Sequence, residues 1–212
     1  MSNIVEQGSA EWHQQRLGKV TASRIADVMA RTKTGYGAGR ANYMAELLVE
    51  RLTGQQAERY VNAAMQWGTD TEPKARAHYE MLSGNSVEQV GLIEHPSIAM
   101  SGASPDGLIG DDGLVEIKCP NTATHIETLL GESIDSKYEK QMQWQMACTG
   151  RKWCDFVSYD PRLPFALQIK VQRIKRDDAA IAEMEREVAQ FLKELAEQQK
   201  QLTQISKQQE AA

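Results

Sequence analysis

Cysteine is scarce: Cys119, Cys148 and Cys154 are the only three in 212 residues, and no two form a CxxC pair. Scattered, odd-numbered cysteines exclude a disulfide framework and point to buried thiols in a reducing cytoplasm. The four histidines, His13, His78, His95 and His125, lack zinc-ligand spacing and read as structural or surface residues. No apolar run approaches the length of a membrane span, and the N-terminus lacks the basic-then-apolar pattern of a signal peptide. Positive charge is not in excess either, because the net charge is −5. That argues against a protein coated in basic patches. Internal repeats and a clear domain boundary are both missing, so residues 1–212 are expected to form one domain.

What is present begins with charge that is unevenly spread. Between Arg16 and Arg40 stand six basic residues (Arg16, Lys19, Arg24, Arg31, Lys33, Arg40) and one acid, Asp27. From Asp177 onward eight acids outnumber four bases. The basic segment is able to meet a phosphate backbone, and it reads equally as a solvated helix face.

The most informative stretch is Ser104-Pro105-Asp106-Gly107, followed by Glu116-Ile117-Lys118 with nine residues between Asp106 and Glu116. The triplet lies in an alternating run, so Glu116 and Lys118 share one face of a strand and Val115 and Ile117 the other. Gly110-Asp111-Asp112-Gly113 has the composition of a hairpin turn, which returns Asp106 beside Glu116 within a residue of register. Two close carboxylates repel unless a cation lies between them. A hard divalent ion with oxygen ligands, Mg²⁺ or Mn²⁺, suits them, and the Ile117 carbonyl at the same strand end offers a further oxygen. Lys118 then faces whatever the metal activates, an arrangement suited to phosphodiester hydrolysis. The charges alone also fit a solvated hairpin.

The elements expected around this hairpin alternate. A short lead-in from Trp12 precedes a helix capped at Thr21-Ala22-Ser23, with Ile25, Val28 and Met29 on one face. Lys33 to Gly39 reads as a mobile basic loop. Met44, Leu47, Leu48 and Leu52 mark a helix closed near Gly54. Another begins around Thr71-Glu72-Pro73, with proline in its first turn, and ends at Gly84-Asn85. Strands are expected over Val87–Glu94, Ile98–Ser101, Phe156–Tyr159 and Ala166–Val171, with a helix over Ser136–Cys148. A final helix runs from Asp178 to about Ile205, within a polar C-terminal segment of about 178–212. Its apolar residues keep a 3-4 spacing that Gln198 breaks. It reads either as a seam for a partner subunit or as a helix that packs on its own domain and frays. The order suits an α/β fold with a central mixed sheet flanked by helices.

Four further clusters carry chemistry. Trp67-Gly68-Thr69-Asp70-Thr71-Glu72 places a carboxylate at a helix start, where the dipole favours it and where it also simply caps. Arg16-Leu17-Gly18-Lys19-Val20-Thr21-Ala22-Ser23 combines an arginine, two hydroxyls and a helix N-terminus, the groups a phosphate needs. Gln141 shares a helix face with Tyr138 and Gln145. Tyr159-Asp160-Pro161-Arg162 reads as a turn. Together with Trp12-His13, Ser104-Pro105-Asp106-Gly107-Leu108 and Glu116-Ile117-Lys118-Cys119-Pro120, this ordered set closely resembles the phage lambda exonuclease family. These viral recombinase exonucleases belong to the PD-(D/E)XK nuclease superfamily. The resemblance covers about Trp12 to Asp177.

The resemblance implies a restriction-endonuclease-like core and specific roles. Asp106, Glu116 and the Ile117 carbonyl would ligate Mg²⁺, as two ions that Mn²⁺ replaces. Lys118 would position or deprotonate the attacking water, with Glu72 and Gln141 completing the site. Arg16, Thr21 and Ser23 would hold the 5′-phosphate of a double-stranded DNA end. It further implies a processive 5′→3′ exonuclease that leaves 3′ overhangs for recombination, a ring-shaped homotrimer, a single-strand annealing protein as partner, and a phage or prophage origin in the cytoplasm of a bacterial host. Competing readings are another endonuclease or repair nuclease of the superfamily, or a non-catalytic DNA-binding module on the fold. The polar helix after Leu195 departs from the family pattern.

Overall fold

A computed structural model of the chain describes residues 5–57, 62–131 and 134–210. The ends of the expected 1–212 domain, and the last two residues of the 178–212 segment, lie outside the described residues.

Helix α1 (Ala10–Arg16) starts where the Ser9 hydroxyl accepts the Trp12 N–H at 3.1 Å. Strand β1 (Val20–Thr21), a 3-10 turn at Ala22–Arg24 and the one-turn helix α2 (Ile25–Val28) follow. A small antiparallel ribbon, β2 (Arg31–Thr32) and β3 (Gly35–Tyr36), leads into α3 (Ala38–Thr53) and α4 (Ala63–Ser83). Next come β4 (Ile93–Glu94), β5 (Ser101–Ala103), β6 (Gly107–Ile109) and β7 (Gly113–Lys118). The chain continues through α5 (Thr122–Leu129), α6 (Ser136–Thr149), β8 (Trp153–Tyr159), β9 (Ile169–Lys175) and α7 (Asp178–Glu210).

Strands β6-β7-β8-β9 form a four-stranded mixed sheet, and β1-β5-β4 a three-stranded one. The central pair β7 and β8 is parallel, while β6 and β9 flank it antiparallel. A parallel pair needs a crossover, and α5 and α6 supply it. On one face Ala75 and Tyr79 of α4 pack on Val115, Ile117 and Val157. On the other, Met142 and Met146 of α6 pack with Leu114, Phe156 and Ile181. A further core joins α2, α3 and α7 through Ile25, Tyr43, Leu47, Trp144, Val188 and Phe191. The mixed α/β architecture with helices on both faces is the one expected from the sequence.

Several boundaries differ. Helix α4 begins at Ala63, where the Asn62 side chain caps by accepting the Met65 N–H at 2.9 Å. Glu72 and Pro73 therefore lie inside the helix, not in its first turn. One lost backbone bond at proline is outweighed by the apolar face that the same helix buries. Thr21 makes no side-chain capping bond and instead belongs to β1, paired in parallel with β5. Only Ile93–Glu94 of the expected Val87–Glu94 strand is a strand, with Glu88 making an isolated bridge to Leu108. His95 Nδ1 accepts the N–H groups of Ser97 (3.3 Å) and Ile98 (3.1 Å), which turns the chain where a strand was expected. The Lys33–Gly39 segment read as a mobile loop holds β3, which pairs back on β2, and Tyr36 Oη donates to Glu187 at 2.8 Å. Helix α5 had no sequence signal that singled it out. Helix α7 does not fray: its buried face ends at Leu195, but the helix continues to Glu210 with Leu202 and Ile205 exposed.

Candidate active site

The β6–β7 register pairs Gly107 with Val115, so Asp106 stands level with Glu116 one step beyond. Asp106 is pinned there, because its Oδ2 accepts the Ile117 N–H at 2.6 Å. Gly107 lets β6 pack closely on Val87, since a Cβ at that position would fall 2.1 Å from Val87 Cγ1. Glu116 is fully buried and accepts three donors. Gln141 Nε2 reaches its Oε1 at 2.6 Å, Gln145 Nε2 reaches its Oε2 at 2.6 Å, and the Lys118 ammonium pairs with Oε1. Asp106, Glu116, Ile117, Lys118 and Gln141 are thus brought together.

Their electrostatics are strained. Burial first, then repulsion from Glu116 and Glu72, pushes the Asp106 carboxyl well above its usual range, despite Lys118 and the Ile117 N–H. Burial opposes the charge on Lys118, but the Glu116 and Asp106 carboxylates outweigh it and hold the amine as an ammonium. Glu72 reaches this field from α4. Its carboxyl is raised by burial and by Glu116, against the pull of Arg76, with which it forms an ion pair. Among the described residues no three His, Cys, Asp or Glu side chains come together as a group that would hold a metal. The donors on hand are two carboxylates and nearby carbonyl oxygen. That set fits Mg²⁺, which is bound by one or two carboxylates and keeps several waters. The unrelieved repulsion at Asp106 is what a cation would remove.

Beside these residues lies a cleft of about 160 Å³ lined by Gln7, Trp12, Arg16, Ala22, Ser23, Ser104 and Gln141. Arg16 lies 4.2 Å over the Trp12 ring, and both donate to Ser104 Oγ at 3.0 Å. Arg16 and Ser23 therefore share one cleft with Gln141. Thr21 does not: it faces a separate hollow with His13, Arg16, Lys19 and Glu50, so Arg16 borders both. The sequence motif contains Ser104, two residues before Asp106, without giving it a role, and Gln7 carries no sequence signal. Gln7 Nε2 donates to Pro105 O at 2.8 Å and so braces the same segment. The basic stretch is largely neutralised: Lys19, Arg24, Arg31 and Arg40 pair with Glu94, Glu46, Glu187 and Glu194.

The Asp160-Pro161-Arg162 turn is more than a turn. Asp160 is fully buried and accepts from Thr122 Oγ1 (2.6 Å) and from Arg162 Nε (2.7 Å). The Arg162 guanidinium then lies 4.4 Å over the Trp67 ring.

The YqaJ-like viral recombinase domain matches residues 11–152. The chain belongs to that family. The resemblance drawn from the ordered motifs falls on the same group. The chain is 58% identical to an alkaline exonuclease, LHK-Exo from Laribacter hongkongensis, over 94% of this chain and 99% of that one, with a TM-score of 0.88. LHK-Exo has been solved both as such and in complex with dAMP. A phage-related exonuclease from Haemophilus somnus 129PT shares the fold at 16% identity, with a TM-score of 0.66 over 88% of this chain and 96% of that one. No curated protein matches the sequence. Among the described residues no helix is long and apolar enough to cross a membrane.

Proposed function

We propose that the protein is a Mg²⁺-dependent 5′→3′ exonuclease that digests one strand of linear duplex DNA and leaves a 3′ overhang. The observation that carries this reading is Gln141. Its amide donates to Glu116 at 2.6 Å, and the same residue lines the cleft that contains Arg16 and Ser23. An anion-binding cleft directly beside paired carboxylates suits an enzyme that measures from a phosphorylated end. The related LHK-Exo is an exonuclease crystallised with a nucleoside monophosphate, which agrees with release of mononucleotides.

In this reading Asp106, Glu116 and the Ile117 carbonyl hold the metal, as two ions that Mn²⁺ replaces, with Glu72 at the margin. Held there, a divalent ion would supply an activated water and offset charge on the scissile phosphate. Lys118, held as an ammonium, orients the nucleophile by donating a hydrogen bond, and it can take a proton only after losing one. Arg16 grips the terminal 5′-phosphate bidentately, Ser23 adds a hydroxyl, and Thr21 shapes the hollow on the other side of Arg16. Homotrimer formation, an annealing-protein partner, a phage or prophage origin and a bacterial cytoplasmic setting belong to the same reading, by resemblance to the family.

The test is to incubate the protein with 5′-phosphorylated linear duplex and with covalently closed circular DNA, in Mg²⁺ or EDTA. Loss of linear duplex from its 5′ ends in Mg²⁺ alone is expected. Cleavage of closed circles would favour an endonuclease of the same superfamily. Binding without cleavage of either would favour a DNA-binding module.

A further inference from the structure

Helix α6 carries three glutamines near the sheet, and their amides are used differently. Gln143 is satisfied at both ends: its Nε2 donates to Lys175 O at 2.8 Å and its Oε1 accepts the Asp177 N–H at 2.9 Å. That is a structural glutamine, tying α6 to the end of β9. Gln141 reaches Glu116 and also lines the Arg16 cleft. Gln145 also reaches Glu116 but does not line that cleft. It is fully buried, and its amide nitrogen has one hydrogen bond, to Glu116 Oε2 at 2.6 Å. Its own Oε1 is buried with no partner among the described residues.

A buried amide that leaves its acceptor unsatisfied is a poor choice for stability. An apolar residue would remove that orphan but would also strip the buried Glu116 Oε2 of its donor. What the amide achieves is specific to Glu116. The two glutamines lie one helical turn apart, so they hold opposite oxygens of one carboxylate. Oε2 is turned inward to Gln145, while Oε1 is the oxygen shared by Lys118 and Gln141, next to the cleft.

We infer that Gln145 is a positioning residue: it locks Glu116 so that Oε1 is the oxygen presented to the divalent cation. This rests on the metal-dependent reading above. Hydrogen bonds that orient a ligating carboxylate carry about 10–100-fold in metal affinity or activity. Gln145 touches neither the cleft nor the reacting atoms, so its effect passes through Glu116 alone.

The experiment measures Mn²⁺ binding to metal-free protein by calorimetry, without DNA, for wild type, Gln145→Met and Gln145→Asn. Methionine keeps the volume and removes the donor. Asparagine keeps the donor but is one methylene too short to reach Oε2. Thermal melting and the Mg²⁺ dependence of the cleavage rate are recorded alongside. The expected result is Mn²⁺ affinity weaker by about tenfold or more in both variants, with a matching rise in the Mg²⁺ concentration for half-maximal rate. The Gln145→Met protein is expected to melt below the wild type, because the buried Glu116 Oε2 loses its donor, so the Mn²⁺ affinity and not the melting decides. Wild-type Mn²⁺ affinity in the folded variants overturns the inference, as does lowered melting in both with no change in affinity. If the wild-type protein itself neither binds Mn²⁺ nor cleaves DNA, the functional reading fails instead.

Discussion

The Arg162 guanidinium lies over the Trp67 ring at 4.4 Å while its Nε and second amino nitrogen both donate to Asp160, at 2.7 and 2.9 Å. This one contact joins the exit of β8 to α4, the helix that carries Glu72. Asp160 also accepts from Thr122 at the start of α5, so three elements meet on a single buried carboxylate. Burial opposes the charge, but Arg162 and Thr122 outweigh it and lower the Asp160 carboxyl from 3.8 to about 2. A depressed acid contributes stability that is present above the unfolded pKa and lost as pH falls through the folded one. Melting temperature is therefore expected to fall between about pH 4 and pH 2 in the wild type. Arg162→Ala should cost about 1–3 kcal/mol at pH 7, a range kept low because Arg162 is half exposed. That variant should also show a flatter acid limb. An Arg162→Ala protein with wild-type melting at pH 7 would remove the brace.

Asp106 tests the opposition between stability and function. Its carboxyl is raised by burial and by the neighbouring carboxylates, so in metal-free protein at neutral pH its ionisation works against the fold. Asp106→Asn retains an oxygen for the Ile117 N–H and removes the charge. The metal-free variant should melt above the wild type, and hydrolysis in Mg²⁺ should fall by about 10³-fold or more, the scale of losing a group that handles transition-state charge. Glu116→Ala should abolish hydrolysis likewise. Lys118→Ala should be severely impaired yet still bind Mg²⁺. Near-wild-type turnover in the Asp106 variant sinks the metal assignment.

Much of this site was legible because its signals are local. The turn at Gly110–Gly113 and the period-two run fixed the hairpin, and with it the meeting of Asp106 and Glu116. Gln141 and Gln145 share a helix face by spacing alone, but which of them meets the cleft depends on how α6 crosses the sheet. The basic segment misled, since Arg31 and Arg40 are neutralised by Glu187 and Glu194 from α7, far along the chain. The start of α4 was misplaced because Pro73 resembles a first-turn proline, and only the Asn62 cap locates the true end. Ser104 belongs to the Ser104-Pro105-Asp106-Gly107 motif, but its spacing alone assigns it no role. Its contact with Trp12 and Arg16 depends on α1 meeting the segment that follows β5.

The three thiols should be inert in the native protein. Burial, reinforced by nearby carboxylates, pushes both Cys119 and Cys148 up to about 12, and burial raises Cys154 as well. At pH 8 the thiolate fraction of the first two is roughly 10⁻⁴, so a disulfide reagent should react slowly until the fold opens. Titration with such a reagent should count three thiols in denaturant and none within minutes in native buffer. A rapidly labelled native thiol would show that one of these residues is more accessible than its packing implies.

Attack should begin at 5′-phosphorylated ends. Arg16 is stacked on Trp12 and donates to Ser104, so its guanidinium is held in place at the cleft before any ligand arrives. A preorganised arginine loses little freedom on gripping a phosphate, and its fork matches two phosphate oxygens. A 5′-hydroxyl end has less charge and fewer acceptors. Arg16→Ala should erase most of the preference for phosphate, by about 1.5–3 kcal/mol for a lost charge-assisted bond. Ser23→Ala should cost less, about 0.5–1.5 kcal/mol for a neutral donor. Thr21→Val should leave the preference almost intact, since its hydroxyl lies in the hollow on the other side of Arg16. The measurement is initial rate on matched duplexes that differ only in the 5′ group, for the wild type and all three variants. Equal wild-type rates on both ends would take the phosphate-anchoring role from Arg16. A Thr21→Val loss as large as that of Arg16→Ala would mean that the two hollows join when DNA binds.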